Sequence, residues 1–141
     1  MPTTEQIEDA IITKLQTDVT AATATVEPFP DRPQDYILSH PKGAVLVQYR
    51  GSQFTEPRVV NTITQTRTLE FVIVVVFRNL RSHQGAYGVL DSVRSSLTGY
   101  VVTTGGQSLS KMFPVREGFI AEKSGVWWYG MTFRMNDRHT E

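Results

Sequence analysis

The clearest pattern in the sequence is an alternation of apolar and polar positions over residues 62–77. Side chains of a strand point alternately to its two faces, so a period of two predicts one long strand. One face is apolar and carries Ile63, Leu69, Phe71, Ile73, Val75 and Phe77. The other face carries Thr62, Thr64, Thr66 and Thr68, followed by Val72, Val74 and Val76. This change predicts that the second half of the strand lies in a sheet core and that the first half projects as an arm.

Two other segments have the apolar spacing of amphipathic helices. Ile7, Ile11 and Leu15 recur every four residues near the start of the chain, which places them on one helix face. Thr3 and Gln6 have the spacing of a capping box, in which each side chain bonds a free backbone N–H of the first turn. The second apolar stripe comprises Ala86, Leu90, Val93 and Leu97.

Four shorter segments carry the β-branched and aromatic residues of strands, namely residues 23–29, 44–49, 113–122 and 126–135. Residues 100–111 contain a Gly-Gly pair and are predicted as a loop, and residues 136–141 as a frayed tail. The predicted order is therefore α–β–β–β–α–β–β. It indicates a single α+β domain, in which two helices pack on one face of a largely antiparallel sheet and the long strand extends into a hairpin arm.

The composition is that of one globular domain with a packed core. Of its 141 residues, 40 % are hydrophobic and 20 % are charged, which argues against intrinsic disorder. The predicted core comprises Ile11, Leu15, Leu46, Phe71, Ile73, Val75, Leu90, Val93, Leu97, Trp127, Tyr129 and Phe133. The 14 basic and 14 acidic side chains cancel, which argues against a dedicated nucleic-acid or membrane-surface binder. The longest apolar run, Phe71–Phe77, is far shorter than the ~20 residues that span a bilayer, so no membrane partner is expected.

The sequence lacks the residue patterns of common catalytic and metal sites. It contains no cysteine, which excludes disulfides, thiolate zinc sites and cysteine nucleophiles. None of His40, His83 and His139 has a second ligand residue at metal-binding spacing. No nucleophile elbow and no phosphate-binding glycine loop is present. We therefore expect no catalytic residues, no metal, no cofactor and no enzymatic activity.

A group of polar residues directly after the long strand is a candidate contact surface. Arg78, Arg81 and His83 follow its buried half closely. Guanidinium groups pair well with carboxylates, so this group suits a partner with acidic residues. A solvated turn explains the same residues equally well.

The arm, predicted over Gly51–Thr68, is the second candidate contact surface. A long exposed strand edge invites aggregation, so such an edge usually pairs with something. The residues predicted to contact a partner are Gln53, Phe54, Glu56 and Arg58 near the tip and Thr64 and Thr66 on the strand. An exposed aromatic residue such as Phe54 suits an intersubunit anchor, although a phenylalanine folded back onto its own chain is a close alternative.

Several segments, taken in order, resemble the Mu-like prophage small tail-protein family. They are residues 40–47 (HPKGAVLV), 65–71 (QTRTLEF), 78–81 (RNLR), 90–94 (LDSVR) and 113–119 (FPVREGF). The resemblance covers nearly the whole chain, and its specificity comes from the succession of segments, because none of them is a catalytic signature.

The resemblance implies a tail-terminator (tail-completion) protein of a contractile-tailed phage, similar in fold to the minor tail protein U of lambda-like phages. Such proteins form a hexameric ring on the head-proximal end of the tail tube, stop its polymerisation and provide the surface that joins the head connector. The implied partners are further copies of the chain, the tube protein, the head–tail connector and the sheath protein. DNA passes through the lumen only as cargo. The implied location is the virion tail or neck, after assembly in the host cytoplasm.

Two other interpretations are compatible with the same sequence. One is a different neck or tube component, such as a head-closure protein, because the α+β pattern serves these proteins as well. The other is a small ligand-binding or enzymatic domain whose site uses the aromatic residues around Trp127 and Trp128. A ring seen in solution would favour an assembly protein, and a monomer with a deep pocket would favour ligand binding.

Overall fold

The computed structural model describes residues 2–20, 23–31, 36, 38, 42–57, 64–78, 85–104 and 106–140, with the backbone alone for 64 and 138–140. The described helices are α1 (Thr4–Asp18) and α2 (Ala86–Leu97). The described strands are β1 (Thr25–Pro28), β2 (Gly43–Phe54), β3 (Thr64–Phe77), β4 (Val101–Thr104), β5 (Gln107–Lys111), β6 (Phe113–Lys123) and β7 (Val126–Thr140).

Helix α1 begins at the capping box that the sequence predicts. The backbone N–H of Gln6 donates to Thr3 Oγ1 at 3.1 Å, and the backbone N–H of Thr3 donates to Gln6 Oε1 at 2.9 Å. These two bonds satisfy N–H groups that have no partner inside the helix. Among the described residues, no helix has the length and apolar character needed to cross a lipid bilayer.

Five strands form one sheet in the order β1-β2-β3-β7-β6. Strand β1 runs parallel to β2, and every other neighbouring pair in this sheet is antiparallel. Strand β3 lies at the centre and pairs with β7 without interruption from Thr64 opposite Thr140 to Phe77 opposite Trp127. The predicted α+β architecture with a largely antiparallel sheet is confirmed.

Both helices pack on the same face of the sheet and cover its main core. Leu69, Phe71, Ile73, Val75 and Phe77 of β3 point to this face, where they meet the buried stripes of α1 and α2. Ten of the twelve predicted core residues are buried, and Leu46 is buried on the opposite face. The prediction was wrong for Trp127 and Tyr129, which are only partly buried because they lie where β7 borders the exposed strand β6.

The second face of the sheet changes character along β3, as the sequence predicts. Val74 and Val76 are buried in a smaller apolar cluster with Leu38, Ala44 and Leu46. Toward the arm the same face carries Thr68, which is partly buried, and Thr66, which is exposed. Threonine keeps strand propensity while leaving this half of the face wettable.

Two segments that the sequence predicts to lack regular structure form strands instead. Residues 101–104 and 107–111, predicted as loop, form the hairpin β4–β5, and its Val102 and Leu109 are buried in the main core. Residues 136–140, predicted as a frayed tail, continue β7 and pair with 64–68 of β3. In both cases polar strand residues are held by backbone hydrogen bonds to a neighbouring strand, which apolar patterning does not reveal.

Gly43 begins β2 in a position that excludes any side chain. A Cβ atom at residue 43 would lie 2.2 Å from Phe77 Cδ2 and 2.6 Å from the carbonyl oxygen of Val76. Because one of these atoms belongs to the backbone, a side-chain rotation alone does not relieve the clash. The adjoining ring of Phe77 is itself buried in the main core.

We expect Gly43→Ala to lower the free energy of unfolding by about 1–3 kcal/mol, the usual cost of overpacking a core. The measurement is urea unfolding of the purified protein. Gly118→Ala is the matched control, because a Cβ at Gly118 meets no described atom within 4 Å. Equal stability of the two variants would contradict a close packing of Phe77 on Gly43.

Candidate assembly surfaces

The predicted contact residues that the structure describes fall into two groups at opposite ends of β3. Arg78 follows one end of the strand, and Thr66 lies near the other end with the arm residues of β2. Twelve residues at about 3.3 Å each separate these positions by roughly 40 Å. The two groups therefore belong to different surfaces. Arg58, Arg81, His83 and the side chain of Thr64 lie outside the described residues.

The arm is present, but it has three strands rather than two. The last residues of β2 pair with 67–70 of β3, and the end of β7 pairs with β3 from its other side. Gln53, Phe54 and Glu56 are exposed at the tip, with 51 % of Phe54 accessible to solvent. The tip of the arm is therefore an accessible surface on a hydrogen-bonded support.

Arg67 anchors the arm to the helical layer. Its side chain is 92 % buried and donates to Ser52 Oγ from Nε at 3.0 Å and to Thr4 Oγ1 from Nη2 at 3.0 Å. Nη2 also approaches the hydroxyl of Tyr49 at 3.4 Å, and the guanidinium carbon lies 6.0 Å from the ring centre of Phe54. Burial raises the pKa of Tyr49, but hydrogen bonds with Ser52 and Arg67 outweigh it and leave this pKa below its ordinary value.

Arg78 has a partner within its own chain. Its Nη2 donates to the backbone carbonyl of Leu38 at 2.8 Å, and its backbone N–H donates to the carbonyl of Lys42 at 3.0 Å. Leu38 covers the smaller apolar cluster on the second face of the sheet. Arg78 therefore holds the backbone of Leu38 at this cluster, while Arg78 itself remains exposed.

The most exposed strand of the sheet is β6, which the sequence interpretation did not single out as a candidate contact surface. It is the last strand in the sheet order, so no described strand pairs with its outer edge. All eleven residues from Phe113 to Lys123 are exposed. Its exposed large apolar side chains are Phe113, Val115, Phe119 and Ile120. A long edge of this kind is a template for pairing with another chain unless something covers it.

An aromatic group lies where β6 meets the N-terminal end of α2. The ring of Phe119 lies 5.9 Å from that of Trp127 and 5.7 Å from that of Tyr129. Tyr87 of α2 extends the group, at 6.2 Å from Tyr129. Phe119 and Tyr87 are 56 % and 45 % exposed. Contiguous exposed apolar surface of this kind marks interaction sites more often than isolated apolar residues do.

On the opposite face of the sheet, two arginines lie close to one carboxylate and a third lines the adjoining cleft. Arg134 Nε lies 3.2 Å from one carboxylate oxygen of Glu70, and Arg116 Nη2 lies 3.8 Å from the other. Arg50 lines a cleft of about 320 Å³ together with Glu70 and Arg134. It has no ion-pair partner among the described residues. We call Arg50, Arg116 and Arg134 the basic face.

Metal-ligand residues do not cluster in the described part of the chain. Within the ranges given above, no group of three or more histidine, aspartate or glutamate residues is arranged to hold a metal ion. The arrangement instead provides an exposed strand edge, a basic face and a supported arm. These features are suited to binding a macromolecular surface.

Comparison with known proteins places the chain in a family and assigns the fold. The family model described as Gp37 protein matches residues 11–138. A chain in the virion of the native gene transfer agent particle has the same fold, with a TM-score of 0.67 and 17 % identity over 94 % of this chain and 95 % of that chain. No curated protein sequence gives a significant match. The resemblance to the Mu-like prophage small tail-protein family stays a prediction.

Proposed function

The chain belongs to the Gp37 protein family, and on this premise we propose that it is a structural component of a phage-type virion. The similar chain of the gene transfer agent belongs to a virion and is matched along 95 % of its length. Nearly complete coverage of both chains means that the similarity extends to the whole domain rather than to a shared core motif. We also propose that the protein has no enzymatic activity and that its role is structural.

The observation that carries this proposal is the exposed edge of β6. An eleven-residue edge strand with Phe119 and Ile120 more than half exposed is an aggregation hazard in an isolated protein, because its free backbone groups can pair with another chain and its apolar side chains face water. Assembly into a larger particle would cover both. A virion protein meets this requirement, since it acts only as part of such a particle.

The more specific role that we propose is the tail terminator implied by the sequence resemblance. In this role six copies form a ring at the head-proximal end of the tail tube, stop its polymerisation and provide the docking surface for the head connector. The tube, connector and sheath proteins are then neighbours, and DNA passes through the lumen. A ring of this kind needs two different complementary surfaces on each subunit, because its contacts are heterologous.

Light scattering and electron microscopy of the purified protein test this role. We expect a ring with a central opening and a mass of about six subunits, and we expect it to bind one end of tubes assembled from the tail tube protein and stop their growth. A monomer that leaves tube length unchanged would contradict the terminator role. A ring that binds the connector but not the tube would instead identify a head-closure protein.

A further inference from the structure

Arg67 is a buried cation whose charge has no carboxylate partner in the described part of the chain. Its side chain lies on the helix-covered face of β3, and its hydrogen bonds go to the hydroxyl groups of Ser52 and Thr4. None of the ion pairs between described residues includes Arg67. Hydroxyl oxygens satisfy the N–H groups of a guanidinium, but they do not neutralise its charge. Buried charges in proteins are normally paired with an opposite charge, so this environment is unusual.

A partly buried carboxylate lies directly across from Arg67 on the next strand. Asp137 of β7 stands opposite Arg67 in the register of β3 and β7, so both side chains belong to the same face of the sheet. Asp137 Oδ2 is inaccessible to solvent and has no hydrogen-bond partner among the described residues. A buried acceptor without a donor is costly to the folded state. Each of the two residues therefore lacks what the other offers.

The guanidinium group of Arg67 can reach either side of β3. It now leans toward β2, which carries Ser52, whereas Asp137 belongs to β7 on the other side of β3. Directly opposite residues of an antiparallel pair have Cβ atoms about 4.5–5.5 Å apart, which an arginine side chain spans easily. Rotation about the side-chain bonds of Arg67 brings the guanidinium to Asp137 and leaves the backbone pairing of β3 unchanged.

We propose that Arg67 is a two-position anchor. In the first position, seen in this structure, it ties the arm to the first turn of α1 through Ser52 and Thr4. In the second position it forms an ion pair with Asp137 and leaves both hydroxyl groups. The first position offers two hydroxyl acceptors and the ring of Phe54, and the second offers two oxygens of opposite charge. Both positions satisfy the guanidinium, and the protein exchanges between them.

The second position loosens the tip of the arm and the start of α1 together. The ring of Phe54, centred 6.0 Å from the guanidinium carbon, loses its cation, and Ser52 and Thr4 lose the donor that joins β2 to α1. A partner that takes up the Phe54 ring removes a contact of the first position and therefore favours the second. The anchor thereby transmits binding at the tip to the first turn of α1. This inference goes beyond the proposed function and does not depend on a ring.

Nuclear magnetic resonance of the Arg67 Nε–Hε group provides the first part of the test. Its chemical shift averages over both positions when exchange is fast, and its relaxation reports exchange in the μs–ms range. Asp137→Asn keeps the shape of the side chain and removes its charge. We expect this variant to shift the Nε signal and to abolish the exchange, because only the first position remains. Asp91→Asn is the matched control and should leave the Arg67 signal unchanged, because Asp91 is an exposed carboxylate that pairs with Arg94.

Removal of the two hydroxyl acceptors provides the second part. In the double variant Thr4→Val and Ser52→Ala, we expect the ratio of the second position to the first to rise at least about tenfold, because two hydrogen bonds from a charged group are lost. Thr3 and Gln6 are unchanged, so the capping box of α1 stays in place. Addition of Asp137→Asn to the double variant should shift the Arg67 signal further than the same substitution does in the wild-type chain.

Two results would overturn the anchor. One is an Arg67 signal whose shift and relaxation do not respond to Asp137→Asn in the wild-type chain. The other is a folded double variant in which the Arg67 signal is equally insensitive to Asp137→Asn. Thermal unfolding of each variant establishes that it is folded, and Asp137→Asn alone decides the outcome if the double variant is not.

Discussion

Phe71→Ala should lower the free energy of unfolding by about 3–5 kcal/mol, because it leaves a cavity where the ring now fills the main core. Phe71 is fully buried at the centre of β3, opposite Phe133 of β7, and its ring lies 5.3 Å from that of Tyr49. The residues around this position belong to three neighbouring strands, so the surroundings have little freedom to collapse into the cavity. Urea unfolding measured by circular dichroism gives the change directly.

Phe54→Ala is the matched control for this substitution. The chemical change is identical, but Phe54 is 51 % exposed at the tip of the arm, and its truncation leaves no enclosed cavity. We expect it to cost much less than Phe71→Ala. Equal destabilisation of the two variants would show that Phe71 is not a core residue.

Lysines placed on the edge of β6 should block assembly without unfolding the protein. In the double variant Phe119→Lys and Ile120→Lys, two apolar anchors become charged at a strand edge, which is how natural proteins prevent edge pairing. Buried anchor residues contribute about 2 kcal/mol or more each, so we expect the dissociation constant of the assembly to rise at least about 100-fold. Light scattering across a concentration series measures this constant.

Phe54→Lys distinguishes the edge of β6 from the tip of the arm. It introduces the same type of charge at another exposed phenylalanine. If assembly proceeds through the edge, this variant keeps the wild-type dissociation constant. Loss of assembly in Phe54→Lys, with normal assembly of the β6 variant, would show that the arm is the contact surface and that the edge is not.

The sequence predicts the centre of this fold well because alternation and burial coincide there. Phe71, Ile73 and Val75 repeat with a period of two, and their burial in the structure follows that pattern directly. The same holds for the start of α1, where the spacing of Thr3 and Gln6 determines a local set of hydrogen bonds. Both predictions depend on neighbours in sequence or on one strongly apolar face.

Elements held by polar residues were not predictable in this way. Ser110 of β5 accepts a hydrogen bond from the backbone N–H of Asn136 in β7, at 2.8 Å, and Thr68 of β3 donates to the side chain of the same asparagine, at 2.9 Å. These partners are distant in sequence, and serine and asparagine favour turns over strands, so residue type does not predict the pairing.

The candidate surfaces depend on which strand lies at the edge of the sheet. The order of strands in a sheet cannot be read from a single sequence. Phe119 and Ile120 are adjacent in sequence, and the register of β6 against β7 shifts between Phe119 and Ala121. Neighbouring side chains of a strand point to opposite faces, so these two apolar residues do not both face one core. From composition alone the two residues are indistinguishable from core positions. The sequence therefore indicates the arm, and not β6, as a contact surface.

The pairing of β3 with β7 has a consequence for the order in which the chain folds during synthesis. Strands β2 and β3 are close in sequence and pair antiparallel, so both are available for pairing before β7, the last described strand to leave the ribosome, which fills the place between β3 and β6. Contacts between distant segments form slowly, and until β7 arrives the apolar edge of β3 is unpaired. The basic face and the edge of β6 both require this last step. A nascent or truncated chain therefore has no finished surface with which to join its neighbours, and only completed subunits are competent to enter the particle.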